Sequence, residues 1–262
     1  MNDLSNALWI ELRKATRSRM PLFTALGSLI LPLVGAFFMF VYKDPEFARS
    51  IGLVSAKANL AGGTASWPSY LGLLAQGIAV GGIGLFGLME IWVFGREFAD
   101  GTLKDLLAVP VARMTILLAK FIVIALWSIV LVAMSCVVSL ILGAVIGLSQ
   151  DTAGVFWQGI ATLATTASLV IINVIPIAFF ASLGRGYLLP IGVVFLMVVF
   201  TNVIVIAGWG SYFPWSVPAL YAQFTENGRA SLEPVSYVIV VFTGLAGMIG
   251  TYLWWKFADQ NR

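Results

Sequence analysis

The chain has 262 residues, of which 60% are hydrophobic and 10% charged, against roughly 25% charged in an ordinary soluble domain. So much apolar surface cannot be hidden in a water-facing core of this length, so lipid is the solvent for most of it, and the net charge of +3 is too small and scattered to imply a nucleic-acid partner. The lack of histidine excludes His-dependent membrane proteases, haem ligation through His and histidine proton relays, while the lone Cys136 permits no internal disulfide and reads as a small packing residue.

The first element is an amphipathic helix within 1–19. Leu4, Ala7, Leu8, Leu12 and Ala15 share one face, Arg13, Lys14 and Arg17 are expected to face away, and Ile10 and Glu11 interrupt the pattern. Such a basic helix lies on the inner leaflet. Six apolar stretches follow, at 20–42, 70–94, 121–148, 155–181, 188–207 and 235–255. Each matches the ~20 residues that a helix rising ~1.5 Å per residue needs to cross the hydrocarbon core. Ala56-Lys57-Ala58 resembles a cleavage site, but the run before it is too long for a signal peptide and is read as a retained span. Apolar character before the third span begins near Met114, and Lys120 interrupts it. A lysine there is expected to snorkel to the headgroups and mark the membrane surface.

Orientation follows from the cations. One side carries Arg13, Lys14, Arg17, Arg19, Arg96, Lys104, Arg113, Lys120, Arg185, Lys256 and Arg262; the other carries Lys43, Arg49, Lys57 and Arg229. The richer side is cytoplasmic, and six spans put both termini there. Outside, the 149–154 connection is short, whereas 208–234 holds Trp209, Tyr212, Phe213, Trp215 and Tyr221 among prolines, an interfacial composition. Inside, the substantial loop is 95–113. Asp100 or Thr102 can cap a short helix there, Leu103, Leu106 and Leu107 give it an apolar face, and Pro110 ends it. Those leucines have no evident burial within the chain, so the helix is expected to lie on the membrane or dock into a partner's groove.

No Gly-rich phosphate loop occurs, and Glu90 is the one acid within the spans. Ion-driven carriers usually place ionisable groups nearer midplane, so the pattern favours a channel, a scaffold or a pump component powered from outside the chain.

The run Glu97, Gly101-Thr102-Leu103, Leu106-Leu107, Pro110-Val111, Arg113 and Lys120 resembles the signature of the membrane subunits of type-two ABC exporters, a family that includes lantibiotic-immunity, bacitracin-resistance and drug-export permeases. The helix leading to Pro21 resembles that family's elbow helix, and 213–218 its external re-entrant region. The resemblance implies an all-α membrane protein forming a single transmembrane domain over 1–262, with the 95–113 loop as the coupling element for a separate ABC ATPase. Glu97, Gly101, Thr102, Leu103, Leu106, Leu107, Pro110 and Arg113 are the candidate coupling residues. ATP and Mg would be held by that partner, not by this chain, and a second identical or homologous permease would complete the path.

Gly77, Gly81, Gly84 and Gly87 share a face of the second span, as Gly244, Gly247 and Gly250 do along the sixth, and small residues let helices approach closely in lipid. With Gln76, Asn173 and Asn202, the residues Gly77, Gly81 and Gly84 form the candidate permease-pair and path set; Asn173, close before Pro176, is the candidate break in the fourth span. A path so poor in charge points to an amphipathic or hydrophobic cargo such as a peptide antibiotic, drug or lipid. A channel, a secondary carrier and a non-transporting scaffold are the alternatives, and a lipid-modifying enzyme a more remote one.

Overall fold

A computed structural model describes residues 3–44, 64–149, 153–223 and 232–257, and leaves the side chains of Lys104, Leu107 and Ala153 aside. Arg49, Ala56, Lys57, Ala58, Arg229 and Arg262 therefore lie outside the described residues. Helix α1 spans Asp3–Thr16 and α2 Met20–Lys43; α3 runs Trp67–Ala99, the short α4 Leu103–Ala108, and α5 Arg113–Ile146. The fourth apolar stretch forms two helices, α6 (Ala153–Val174) and α7 (Pro176–Leu183). Then come α8 (Leu188–Ile206), two 3-10 turns at Gly210–Tyr212 and Pro214–Ser216, α9 (Val217–Ala222) and α10 (Pro234–Phe257). Among the described residues, six spans are long and apolar enough to cross a membrane: α2, α3, α5, α6 with α7, α8 and α10.

Local chemistry sets the ends. The Ser66 hydroxyl accepts from the Ser69 N–H, and Pro68 occupies the first turn of α3, where a missing N–H costs nothing. Gly147 ends α5 in the left-handed region at φ 69°, letting the Leu148 N–H reach back to the Gly143 carbonyl. Lys43 then donates to the carbonyls of Ile146 and Gly147, a cation on the negative end of the helix. Pro32 lies inside α2, so the Ser28 carbonyl loses its usual N–H donor. Ser135 of α5 supplies a hydroxyl to it at 3.1 Å, and the Pro32 carbonyl accepts from the buried Tyr70 hydroxyl at 2.8 Å. Lipid offers no replacement donors, so neighbouring spans must serve.

Helix α3 lies at the centre, packed on α2, α5, α6 and α7. Leu74, Ile78, Ile83 and Phe86 join Leu131 of α5 with Leu163, Val170 and Ile177 of the fourth span in the main core. Helix α8 is peripheral, burying only Pro190 and Met197.

Three sequence expectations are corrected. The third span starts at Arg113 without interruption, and Lys120 does not snorkel: its side chain is wholly buried. In α1 the inward face is Leu4, Ala7, Leu8, Glu11 and Ala15 with Lys14 turned toward Glu11, while Leu12 joins Trp9 and Ile10 outside. In α4, Leu103 is buried against Val93, Phe94, Ile116 and Trp255, with Leu106 half-buried beside it. Part of the leucine face thus packs within the chain, because the long ends of α3 and α5 project beyond the apolar stretches and give it something to pack on.

Candidate functional site

At the end of the bundle that holds α1 and the last turn of α10, Glu97 joins four helices. It sits in the last turn of α3, 1% exposed, and its Oε1 accepts from Lys120 Nζ of α5 at 2.8 Å and from Lys14 Nζ of α1 at 3.0 Å. Its Oε2 accepts from the Thr102 hydroxyl, immediately before α4, at 2.7 Å. Glu11 of α1 completes the cluster, 3.1 Å from Lys120 and 2.9 Å from Lys14. The two carboxylates meet the buried Lys120 ammonium, the partly exposed Lys14 ammonium and, 3.9 Å from Glu97, the Arg96 guanidinium, so each buried charge of the cluster is paired, as burial away from water requires. Burial disfavours the Lys14 ammonium, but Glu11 and Glu97 more than offset this and raise its pKa above the usual lysine value.

The turn from α3 to α4 needs Gly101, which stands at φ 70° where an L side chain is strained. Thr102 occupies the first position before α4 but makes no cap with its side chain; its hydroxyl is committed to Glu97 instead. Asp100 closes α3 through its backbone N–H to the Arg96 carbonyl. Val109 leaves the helix in extended backbone, as the residue before Pro110 must. At the far end Arg113 donates to the carbonyls of Trp255 and Lys256, capping the last turn of α10. Helix α4 is thereby tied at its start, through Thr102, to the Glu97 cluster of α1, α3 and α5, while Arg113 ties the start of the next helix, α5, to α10. An apolar recess of about 110 Å³ lies between α1 and α4, with Ala7, Ile10, Leu106 and Val109 among its walls.

Of the coupling candidates, Glu97 and Thr102 are in hydrogen-bond contact and Leu103 and Leu106 share one apolar cluster, whereas Gly101 forms the turn, Pro110 follows α4, Arg113 binds α10 and the side chain of Leu107 lies outside those described. Glu11 and Lys14 were missed as participants, and Lys120 was given the wrong environment. Their signal was present: an acid on the apolar face of α1, a lysine one turn on, and another lysine inside an apolar run.

The pair and path candidates divide. Gln76, Val80, Gly81 and Leu88 form an exposed stripe along α3 with the partly exposed Gly84, and a Cβ on either Gly81 or Gly84 would meet nothing within 4 Å. A Cβ on Gly77 would come 2.7 Å from Leu31 of α2, and one on Gly87 3.0 Å from Ile177 of α7, so these two serve packing within the chain. Asn202 is exposed, its side chain bonded to the Val198 carbonyl of its own helix. Asn173 is fully buried at the end of α6, donating to the Pro214 carbonyl. Among the described residues no group of three or more His, Cys, Asp or Glu could hold a metal ion.

Two similarities bear on this arrangement. Residues 7–202 match the family described as ABC-2 family transporter protein. The chain is also 27% identical over 180 residues to the bacitracin transport permease protein BCRB of Bacillus licheniformis, covering 68% of this chain and 85% of that protein.

Proposed function

This chain belongs to the ABC-2 family of transporter proteins and is a multi-pass permease subunit, and from that premise we propose that it exports an amphipathic or hydrophobic cargo on power delivered through α4 by a separate ABC ATPase. The observation that carries the reading is the seat of α4: Thr102 at its start bonds Glu97, which draws α1, α3 and α5 together, and Leu103 lies in one apolar cluster with Trp255 of α10. A push on an isolated surface helix dissipates in its loops. A push on this helix reaches α1, α3 and α5 through the Glu97 cluster and α10 through the apolar cluster that holds Leu103 and Trp255.

In this reading both termini and α4 face the cytoplasm of the cell membrane, α1 lies against the inner leaflet with Trp9, Ile10 and Leu12 in lipid, and ATP with Mg is bound by the ATPase. Two permeases, identical or homologous, meet along the Gln76–Gly84 stripe of α3. Similarity to a protein named for bacitracin transport supports a peptide antibiotic as the cargo class.

The test is co-purification of the ATPase subunit that accompanies the native chain. Leu106 is half-buried, so its exposed part offers about 1–2 kcal/mol to a docked partner. Leu106→Asp should release the ATPase while the permease stays at its normal level in the membrane. Leu103→Asp, striking the chain's own packing, should lower the permease level itself. Retention of the ATPase and of coupled transport by the Leu106→Asp protein would sink the proposal.

A further inference from the structure

Pro176 has no N–H, so the Ile172 carbonyl loses its helical partner and α6 stops at Val174. The Ile175 N–H turns back to the Ile172 carbonyl at 3.4 Å, and Asn173 is left with a free main-chain carbonyl and a buried amide side chain. Both groups engage the segment between the fifth and sixth spans. Asn173 Nδ2 donates to the Pro214 carbonyl at 2.7 Å, and Trp215 Nε1 donates to the Asn173 carbonyl at 3.1 Å. A carbonyl can only accept, so the amide's orientation is fixed, and Asn173 Oδ1 is left buried with no partner.

The position matters as much as the bonds. Asn173 lies 20 residues after Ala153, about 30 Å along the helix, so residues 209–217 return deep into the bundle after α8 has ended. The segment is tied within itself by Ser216, whose hydroxyl is paired with the carbonyls of Gly210 and Phe213. It leaves α8 through Gly208 at φ 82°. Helix α10 also presses close to the break: a Cβ on Gly247 would come 2.5 Å from Pro176 Cα, and one on Gly244 2.6 Å from the Ile172 side chain. The break is held by both α10 and the returning segment, which also pack on each other.

We propose that Asn173 is a latch that holds the 209–217 segment against the break in the fourth span, and that its release lets segment and break open together on the face away from the chain ends. Two hydrogen bonds favour the closed arrangement. The orphaned Oδ1 opposes it, since opening would let water or cargo satisfy that acceptor. Opposed contributions of similar size are what a two-position element needs. The polar groups involved belong to a proline-broken helix, where the bonds a continuous helix would keep to itself are available for a second element.

The reporter is Ser216→Cys in a Cys136→Ser background, in native membranes with the ATPase present, reacted with an impermeant maleimide from the face opposite the termini. With Asn173 intact the buried position should react slowly. Asn173→Leu removes the bond to Pro214 and leaves that carbonyl buried without a donor, Trp215→Phe removes the bond to the Asn173 main-chain carbonyl and keeps an aromatic ring, and each should speed labelling about threefold, the two together at least tenfold. Gly247→Ala, pressing on Pro176 from α10, should also speed it. Ser139→Cys, buried in α5, should stay slow in every variant. Unchanged labelling at Ser216→Cys in Asn173→Leu and Trp215→Phe overturns the latch. So does an equal acceleration at Ser139→Cys, which would mean general loosening. If Asn173→Leu fails to accumulate, Trp215→Phe decides in the same two ways.

Discussion

Glu97 Oε1 lies 2.8 Å from Lys120 Nζ, and the two side chains are 1% and 0% exposed. A pair so placed is expensive to break from one side, because the survivor keeps its charge without its partner. Loss of one member of a buried pair costs about 3–5 kcal/mol, whereas replacing both by apolar or neutral groups is often near neutral. Glu97→Gln and Lys120→Met should each lower the melting temperature of the purified permease in lipid discs, and the double variant should regain at least half of the combined loss. Glu97→Gln should be the worse single change, since Lys14 loses a charged partner as well and one of the two oxygens that serve Lys14, Lys120 and Thr102 becomes a donor. Simple additivity of the two losses would show that the charges act independently.

Gly101 is required for its backbone. A Cβ there would meet nothing within 4 Å, so no clash opposes substitution, and only the φ of 70° does. Gly101→Ala should cost about 1–2 kcal/mol, with Gly101→Asn intermediate because asparagine tolerates the left-handed region. If α4 transmits force, the same change should lower transport per ATP hydrolysed more than it lowers ATPase binding. Measuring both on one reconstituted preparation separates the effects, and equal losses would assign Gly101 to docking alone.

Length and hydropathy made the six spans legible, since a lipid-crossing helix has few ways to be written. The helix break was legible for the same reason: Pro176 removes a donor whatever surrounds it. What composition could not reveal was the direction of a charged side chain. Lys120 in an apolar run reads as a snorkelling residue until its acceptors are known, and those lie on α1 and α3, 109 and 23 positions away. Glu11 looked like a flaw in an amphipathic pattern because a helix wheel scores polarity and cannot see a partner. The leucines of α4 were misjudged for a related reason: α3 and α5 continue as helix beyond their apolar stretches, and Leu103 is covered by that extension.

Topology is open to a direct check. Asp3 and Asp105 are both exposed, on α1 and α4, and the topology proposed from the cation count has them facing the cytoplasm. In a Cys136→Ser background, Asp3→Cys and Asp105→Cys should resist an impermeant thiol reagent in intact cells and react after permeabilisation. Reaction of Asp105→Cys from outside would invert the orientation and remove α4 from the reach of a cytoplasmic ATPase.

The exposed stripe of α3 makes the sharpest prediction about pairing. Gly81 and Gly84 have open space where a side chain would go, whereas Gly77, one turn from Gly81, already has Leu31 of α2 against it. A large residue at Gly84 therefore intrudes on whatever lies outside the chain, and one at Gly77 intrudes on the chain itself. Gly84→Leu should leave the melting temperature of the solubilised single permease nearly unchanged. In membranes the same change should weaken pairing at least tenfold, about 1.4 kcal/mol, within the range that overpacking a close contact costs. Gly77→Leu should show the reverse order, with destabilisation first. Gly81→Cys should cross-link two permeases through a short bifunctional reagent, and Val238→Cys, 63% exposed on α10, should not. Single-molecule counting in native membranes provides the readout. Should Gly84→Leu pair as tightly as the native chain, the glycines of α3 are not at the contact between permeases, and the exposed stripe faces lipid.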